Sequence, residues 1–153
     1  DVPVVIDADA IHAVARQPEV LSGKPYIVTP NTYEFLILTG KEVKSLSVEE
    51  RISVVRMEAE RLQTTIVLKG EKDIISDGKE VLVDESWSPY LTGGGTGDTL
   101  AGIIGAVAAR NVGSMVAAAA GTYINGKAGE LAAKRFGESL VATDLIDAIS
   151  EVV

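Results

Sequence analysis

Several short runs of this chain are apolar or β-branched at every position rather than at every second one. Val2–Ile6 and Thr65–Leu68 are the clearest, and Tyr26–Thr29 is a further short example. A strand with one wet face alternates, whereas an unbroken run reads as a strand covered on both faces, the pattern of a parallel sheet packed between helices. The segments between the runs have helical spacing. Ala10–Arg16 is a short helix closed by Gln17-Pro18, with Asp9 expected as its cap after Asp7-Ala8. Asn31 or Thr32 caps a helix that ends at Gly40. Ser47-Val48-Glu49-Glu50 is a capping box. It opens a long amphipathic helix with Ile52, Val55, Ala59 and Leu62 on one face.

Asp73–Ser76 and Glu80–Val83 flank Asp77-Gly78 and predict a β-hairpin. A polar loop, Asp84–Gly95, leads into a helix near Gly97, and further helices are expected over Gly113–Phe136 and Thr143–Val153. Strands alternating with helices predict an α/β domain whose mostly parallel sheet has helices on both faces and an antiparallel edge. The chain opens on Asp1 and enters a strand at once, so it reads as one partial domain, residues 1–153, lacking upstream strands.

In open α/β sheets ligands sit beyond the carboxyl ends of the strands. Four unusual sequences fall at such ends: Asp7-Ala8-Asp9, Thr29-Pro30-Asn31, Lys69-Gly70-Glu71 and the loop Gly93-Gly94-Gly95-Thr96-Gly97-Asp98. Glycines let a backbone approach a ligand closely, and the apolar helix that follows (Leu100, Ile103, Ile104, Val107) supplies free N–H groups and a positive dipole end, which together bind anions. No Lys-Ser/Thr pair follows this loop, so it is not a Walker A. Asp98 either complements the helix dipole or serves as a general base beside a bound phosphate.

Asn31 and Glu34 lie one helical turn apart. They form a plain N-cap with an exposed acid, or Glu34 holds a water of a hydrated Mg²⁺. Lys69 is an ordinary strand-end residue or a point charge for a phosphate. The single histidine, His12, reads as a surface residue, while Trp87 and Tyr90 either pack on an adenine or cover the core.

A net charge of −8, from 22 acids against 14 bases, disfavours nucleic acid or an anionic membrane as partner but leaves room for one nucleotide. With no cysteine, a disulfide, thiolate nucleophile or cysteine-bound metal is impossible, which is compatible with a cytoplasmic protein. The most apolar stretch, Thr99–Gly126, is broken at Asn111-Val112-Gly113, so it predicts two buried helices and no membrane span.

Taken together, these stretches resemble the ribokinase superfamily, in which an Asn-x-x-Glu motif handles Mg²⁺ and phosphate and a Gly-Thr-Gly-Asp loop forms the anion hole. Within it the chain is most similar to the NAD(P)H-hydrate dehydratases. The resemblance is carried by VVIDADAIHAVA (4–15), IVTPNTYEFLILTG (27–40), VLKGEKDIISDGKEVLV (67–83), TGGGTGDTLAGIIGA (92–106) and the later YINGKAGELAA and ATDLIDAI. The Thr-Pro-Asn and Lys-Gly-Glu-x-Asp forms resemble ATP-using members.

The resemblance implies a ribokinase-like three-layer α/β/α fold and a hydro-lyase that uses ATP or ADP with Mg²⁺ to dehydrate NADHX or NADPHX. It implies Asp98 as base and substrate contact. Asn31, Thr32, Tyr33, Glu34, Phe35, Leu36 and Ile37 would line the substrate site, with Glu34 near Mg²⁺. Lys69, Gly70, Glu71, Lys72 and Asp73, with Ser88, Pro89, Tyr90, Leu91, Thr92, Gly93, Gly94, Gly95, Thr96 and Gly97, would surround the nucleotide. It further implies a homo-oligomer, and a companion chain supplying the N-terminal part of the domain. Two other readings compete: a kinase of a small vitamin-precursor alcohol (hydroxymethylpyrimidine, pyridoxal or hydroxyethylthiazole type), and a non-catalytic nucleotide-binding subunit.

Overall fold

The computed structural model describes residues 2–153. Five strands form one sheet in the order of the sequence: β1 (Val4–Ile6), β2 (Tyr26–Val28), β3 (Thr65–Leu68), β4 (Asp73–Ser76) and β5 (Val81–Asp84). The β1–β2 and β2–β3 pairs are parallel, whereas β3–β4 and β4–β5 are antiparallel. Two reversals return β5 to the direction of β3. The carboxyl ends of β1, β2, β3 and β5 therefore share one end of the sheet with the amino end of β4.

Helices cover both faces, as the unbroken apolar runs require. On one face α1 (Asp9–Val14), α2 (Thr32–Thr39) and α3 (Val48–Leu62) pack on Ile6, Val28, Ile66, Leu68 and Ile74. On the other, α4 (Thr96–Ala108) and α5 (Ser114–Phe136) pack on Ile27, Val67 and Ile75. Side chains alternate across a strand, so successive residues of β2 and β3 feed opposite cores. A third cluster joins α5 to α6 (Ala142–Ala148). A short 3₁₀ turn over Pro18–Leu21 precedes β2.

Several boundaries differ from the sequence expectation; α1 stops at Val14, β2 at Val28, and β5 is shifted by one residue to Val81–Asp84. β1 is shorter than Val2–Ile6 and is not covered throughout: Val2 is 76% and Val4 39% exposed, because β1 lies at the sheet edge with a strand on one side only. Asp9 is not the cap of α1. It is the first helical residue, and the cap position is Ala8, at φ 49° with no side-chain hydrogen bond. The last helix closes at Ala148 and tightens into a 3₁₀ turn over Ile149–Glu151.

Other expectations match. Asn31 caps α2 and the Ser47–Glu50 capping box forms, but Glu34 is not the exposed acid of a plain cap: it accepts from the Asn31 N–H and closes a second box, its side chain 12% exposed. The apolar stretch breaks where Asn111 adopts φ 60°. No helix of the described residues is long and apolar enough to cross a membrane.

Small residues on α5 let it approach its neighbours. A methyl at Gly121 would sit 2.9 Å from Ile104 Cα, and one at Gly126 would meet the Ser86 carbonyl and lie 2.5 Å from Ser86 Cβ. Gly126 therefore sets how close the loop after β5 lies to the helices.

Candidate active site

The polar groups gather at the shared sheet end. Asp7 follows β1, Thr29 and Asn31 follow β2, Lys69 follows β3, and Asp73 opens β4. The Lys69 N–H donates to the Pro30 carbonyl at 2.8 Å, tying two of these ends together. Lys69 Nζ donates to Asp7 Oδ1 at 2.6 Å and lies 3.6 Å from Glu34 Oε2. The hydroxyl of fully buried Thr29 donates to the same Asp7 oxygen at 2.8 Å.

The glycine loop meets this cluster. Gly95 is the N-cap of α4 at φ 90°, a left-handed conformation that glycine adopts without strain. Thr96 Oγ1 donates to the Leu91 and Gly93 carbonyls at 2.8 and 2.9 Å, closing the loop on itself. No side chain caps α4, and the N–H groups of Gly97 and Asp98 find no acceptor among the described residues. In α2 the Asn31 side chain accepts from both corresponding donors, and in α3 Ser47 accepts from one of them, the Glu50 N–H. A methyl on Gly97 would lie 3.5 Å from Lys69 Nζ, so the ammonium abuts the open helix end. Free amides, a helix dipole and an ammonium together form a site for an anion.

A cavity of about 390 Å³ opens in front of this end. Its wall includes Asn31, Lys69, Gly70, Glu71, Asp73, Leu91, Thr92, Thr96 and Gly97, which the sequence pointed to, and also Trp87. Leu100, which the sequence offered only as part of the apolar helix after the glycines, also lines it, and Asn125, Ser86 and Gly126 complete it without having been singled out. Asn125 lies within the YINGKAGELAA stretch, the one sequence signal that touched it. Its side chain accepts from Thr99 Oγ1 at 3.0 Å, which links α5 to the start of α4.

Asp73 is the perturbed acid of this cavity. Burial, reinforced by Asp84, pushes its carboxyl up to about 6 against the opposing N–H of Gly70, which donates to Oδ1 at 2.8 Å.

The remaining predicted residues are scattered. Asp98 is exposed and lines a second cavity of about 730 Å³ between α4 and α6, whose walls are mostly apolar and whose charged side chains are Asp98 and Arg110. Arg110 is the one cationic side chain in this mostly apolar lining, whereas the smaller cavity brings Lys69 together with the amino end of α4, so the smaller one fits a nucleotide better. Gly95 borders the large cavity, while Ser88, Pro89, Tyr90, Gly93 and Gly94 line neither. Lys72 turns outward to Glu85 at 2.5 Å.

In α2, Tyr33 is 64% exposed beside exposed His12, with ring centroids 6.3 Å apart, whereas Phe35 is fully buried in the core. Thr32, Leu36 and Ile37 are half-buried. Glu34 Oε2 accepts from the Asn31 N–H at 2.7 Å. No group of three or more His, Cys, Asp or Glu side chains that could cage a metal occurs among the described residues. A hydrated Mg²⁺ carried on phosphates, touching one carboxylate through water, is the form that this donor set fits.

Comparison with known proteins identifies the family. A carbohydrate-kinase family model described as NAD(P)H-hydrate dehydratase matches residues 1–151. The bifunctional NAD(P)H-hydrate repair enzyme Nnr of Pyrobaculum aerophilum is 41% identical over 98% of this chain and 29% of its own length. The ADP-dependent (S)-NAD(P)H-hydrate dehydratase of Cenarchaeum symbiosum is 40% identical over 100% of this chain and 52% of its own.

Among solved structures, the ADP/ATP-dependent NAD(P)H-hydrate dehydratase of Bacillus subtilis, co-crystallized with ATP/Mg²⁺, superposes with a TM-score of 0.82 at 30% identity. The match covers 98% of this chain and 53% of that one. The hydroxyethylthiazole kinase of Pyrococcus horikoshii shares the fold at a TM-score of 0.77 and 22% identity, covering 97% of this chain and 59% of that one. The chain thus spans about half the length of the dehydratase from C. symbiosum and of these solved structures, and under a third of the bifunctional enzyme. Its fold is ribokinase-like α/β, and the chain belongs to the NAD(P)H-hydrate dehydratase family.

Proposed function

We propose that the protein of which this chain forms part repairs hydrated nicotinamide cofactors, dehydrating NADHX or NADPHX to NADH or NADPH with ATP or ADP as phosphate donor. The observation that carries this is the open amino end of α4, with the Gly97 and Asp98 amides unpartnered and Lys69 against it, where Gly97 and Lys69 line a cavity of about 390 Å³. Donor phosphates bind there, near Lys69–Asp73 and the loop Ser88–Gly97, with Trp87 on the wall for the base.

The substrate's ring hydroxyl attacks the terminal phosphorus. The O–P bond forms, the bond to the departing nucleotide breaks, and Asp98 takes the hydroxyl proton. Loss of the phosphate with a neighbouring ring proton then restores the reduced nicotinamide. Mg²⁺ neutralises phosphate charge when bound, and the free oxygen of Glu34 is the group to hold one of its waters. Residues Asn31–Ile37 border the substrate side through Asn31 and Glu34. The outer edge of β1 is where a companion polypeptide adds a strand.

The test is incubation of the chain, with and without the upstream part of a relative, with NADHX, Mg²⁺ and either ATP or ADP. Recovery of the reduced-nicotinamide absorbance is expected. Both nucleotides are needed, because Thr-Pro-Asn resembles ATP users while the C. symbiosum relative is named as ADP-dependent. No recovery, alongside phosphorylation of a vitamin-type alcohol, moves the assignment to a kinase.

A further inference from the structure

We infer that Asp7 is a positioning residue of the phosphate site, acting through Lys69. This rests on the small cavity being the nucleotide site, but it concerns a residue that no phosphate contact would itself reveal.

Asp7 is the first residue beyond β1, and its side chain is only 13% exposed. One carboxylate oxygen, Oδ1, accepts from Lys69 Nζ at 2.6 Å and from the Thr29 hydroxyl at 2.8 Å. The Thr29 hydroxyl is itself fixed, since the residue is fully buried and its N–H donates to the Ile6 carbonyl at 3.0 Å. The acceptor is therefore anchored from the β2 side while it holds an ammonium from the β3 side. Glu34 Oε2 stands 3.6 Å from the same Nζ and is held in turn by the Asn31 N–H.

A lysine stem is flexible and has many rotamers of similar energy. Here two carboxylates confine its head to one place. That place is the start of α4, where a methyl on Gly97 would lie 3.5 Å from Nζ and 4.0 Å from Asp7 Oδ2. An ammonium has three donors. Asp7 takes one, Glu34 attracts the head from another side, and a proton remains for a phosphate oxygen at the free amides of Gly97 and Asp98. Asp7 thus converts a mobile charge into an oriented donor without touching the ligand.

The alternative is a purely structural role, in which Asp7 ties the ends of β1, β2 and β3 together. A double-mutant cycle separates the two, because residues acting through one another are non-additive. Affinities for ATP with Mg²⁺ and for adenosine are measured by calorimetry on the unsubstituted chain, Asp7→Asn, Lys69→Ala and the double variant. Asp7→Asn is expected to weaken ATP binding about tenfold while leaving adenosine unchanged, and to add nothing in the Lys69→Ala background.

Asp7→Glu keeps the charge but displaces it by one methylene. It is expected to lose ATP affinity with an unchanged melting midpoint, which covers the case in which Asp7→Asn fails to fold. Equal losses for ATP and adenosine, or an undiminished Asp7→Asn effect without Lys69, would overturn the assignment. If the unsubstituted chain binds ATP but no reduced nicotinamide is recovered from NADHX, the proposed function falls and the Asp7 assignment is still decided by the affinities. If ATP does not bind at all, both fall.

Discussion

Asp73 stands opposite Asp84 across the β4–β5 ladder, at the rim of the small cavity, and one oxygen of Asp84 is buried without a hydrogen-bond partner. Two acids face each other where burial already disfavours charge. The pair has a consequence for stability.

Burial and then Asp84 raise the folded Asp73 value from 3.8 to about 6, so the native state holds a proton that the unfolded chain releases. Its stabilising contribution is fully present below pH 3.8 and fades as the pH rises through about 6. The linkage amounts to at most ~3 kcal/mol. Urea unfolding across this window should show the unsubstituted chain losing stability relative to Asp73→Asn as the pH rises. Parallel pH profiles for the two would remove Asp73 as the cause.

Asp98 is exposed beside the open helix end, so truncating its side chain leaves the core packing intact. Asp98→Ala is expected to cut turnover by about a hundredfold to ten-thousandfold, the range for a general base, with ATP affinity nearly unchanged. Single-turnover assays and calorimetry measure the two effects separately. Turnover within a few-fold of the unsubstituted chain would eliminate Asp98 as the base.

Trp87 is the single tryptophan and lies on the wall of the small cavity. Titration with ATP should change its fluorescence saturably. Trp87→Ala should weaken ATP binding by roughly tenfold, as loss of base stacking does. Unchanged emission at saturating nucleotide would put the adenine elsewhere.

Gly126→Ala would drive a methyl into the Ser86 backbone, a contact that no side-chain rotation relieves. Both residues border the cavity, so the variant should lose ~1–3 kcal/mol of stability and weaken nucleotide binding together. Thermal melts and calorimetry on one preparation would test the coupling. A stability loss with intact binding would show that the loop adjusts independently.

Asn31→Ala removes the side-chain acceptor of the Tyr33 and Glu34 amides and frees the start of α2. A loss of about 1 kcal/mol is expected from the cap alone. Equilibrium unfolding measures it, and a loss below a few tenths would mean that tertiary packing holds this helix end.

Much of this molecule was legible because the relevant forces are local. The unbroken runs at β2 and β3 required cover on both faces, the Asn31–Glu34 and Ser47–Glu50 spacings closed their boxes within one turn, and Asn111 broke the long apolar stretch by adopting φ 60°. The Gly95–Asp98 loop announced a helix start with free amides for the same reason. Asp9 was misread because helix start points shift by one residue at little cost, and here Ala8 took the cap position.

The tertiary structure alone decided which of the strand-end residues meet. Asp7 and Lys69 are 62 residues apart, and only parallel pairing through β2 brings their carboxylate and ammonium to 2.6 Å. The same packing buried Phe35, turned Lys72 outward, brought Asn125 and Gly126 to the cavity from a distant helix, and put the Asp98 residue on the larger cavity while Lys69 lines the smaller. Sequence spacing fixes side-chain direction within one helix or strand, but the orientation of one element against another follows from how their cores interlock.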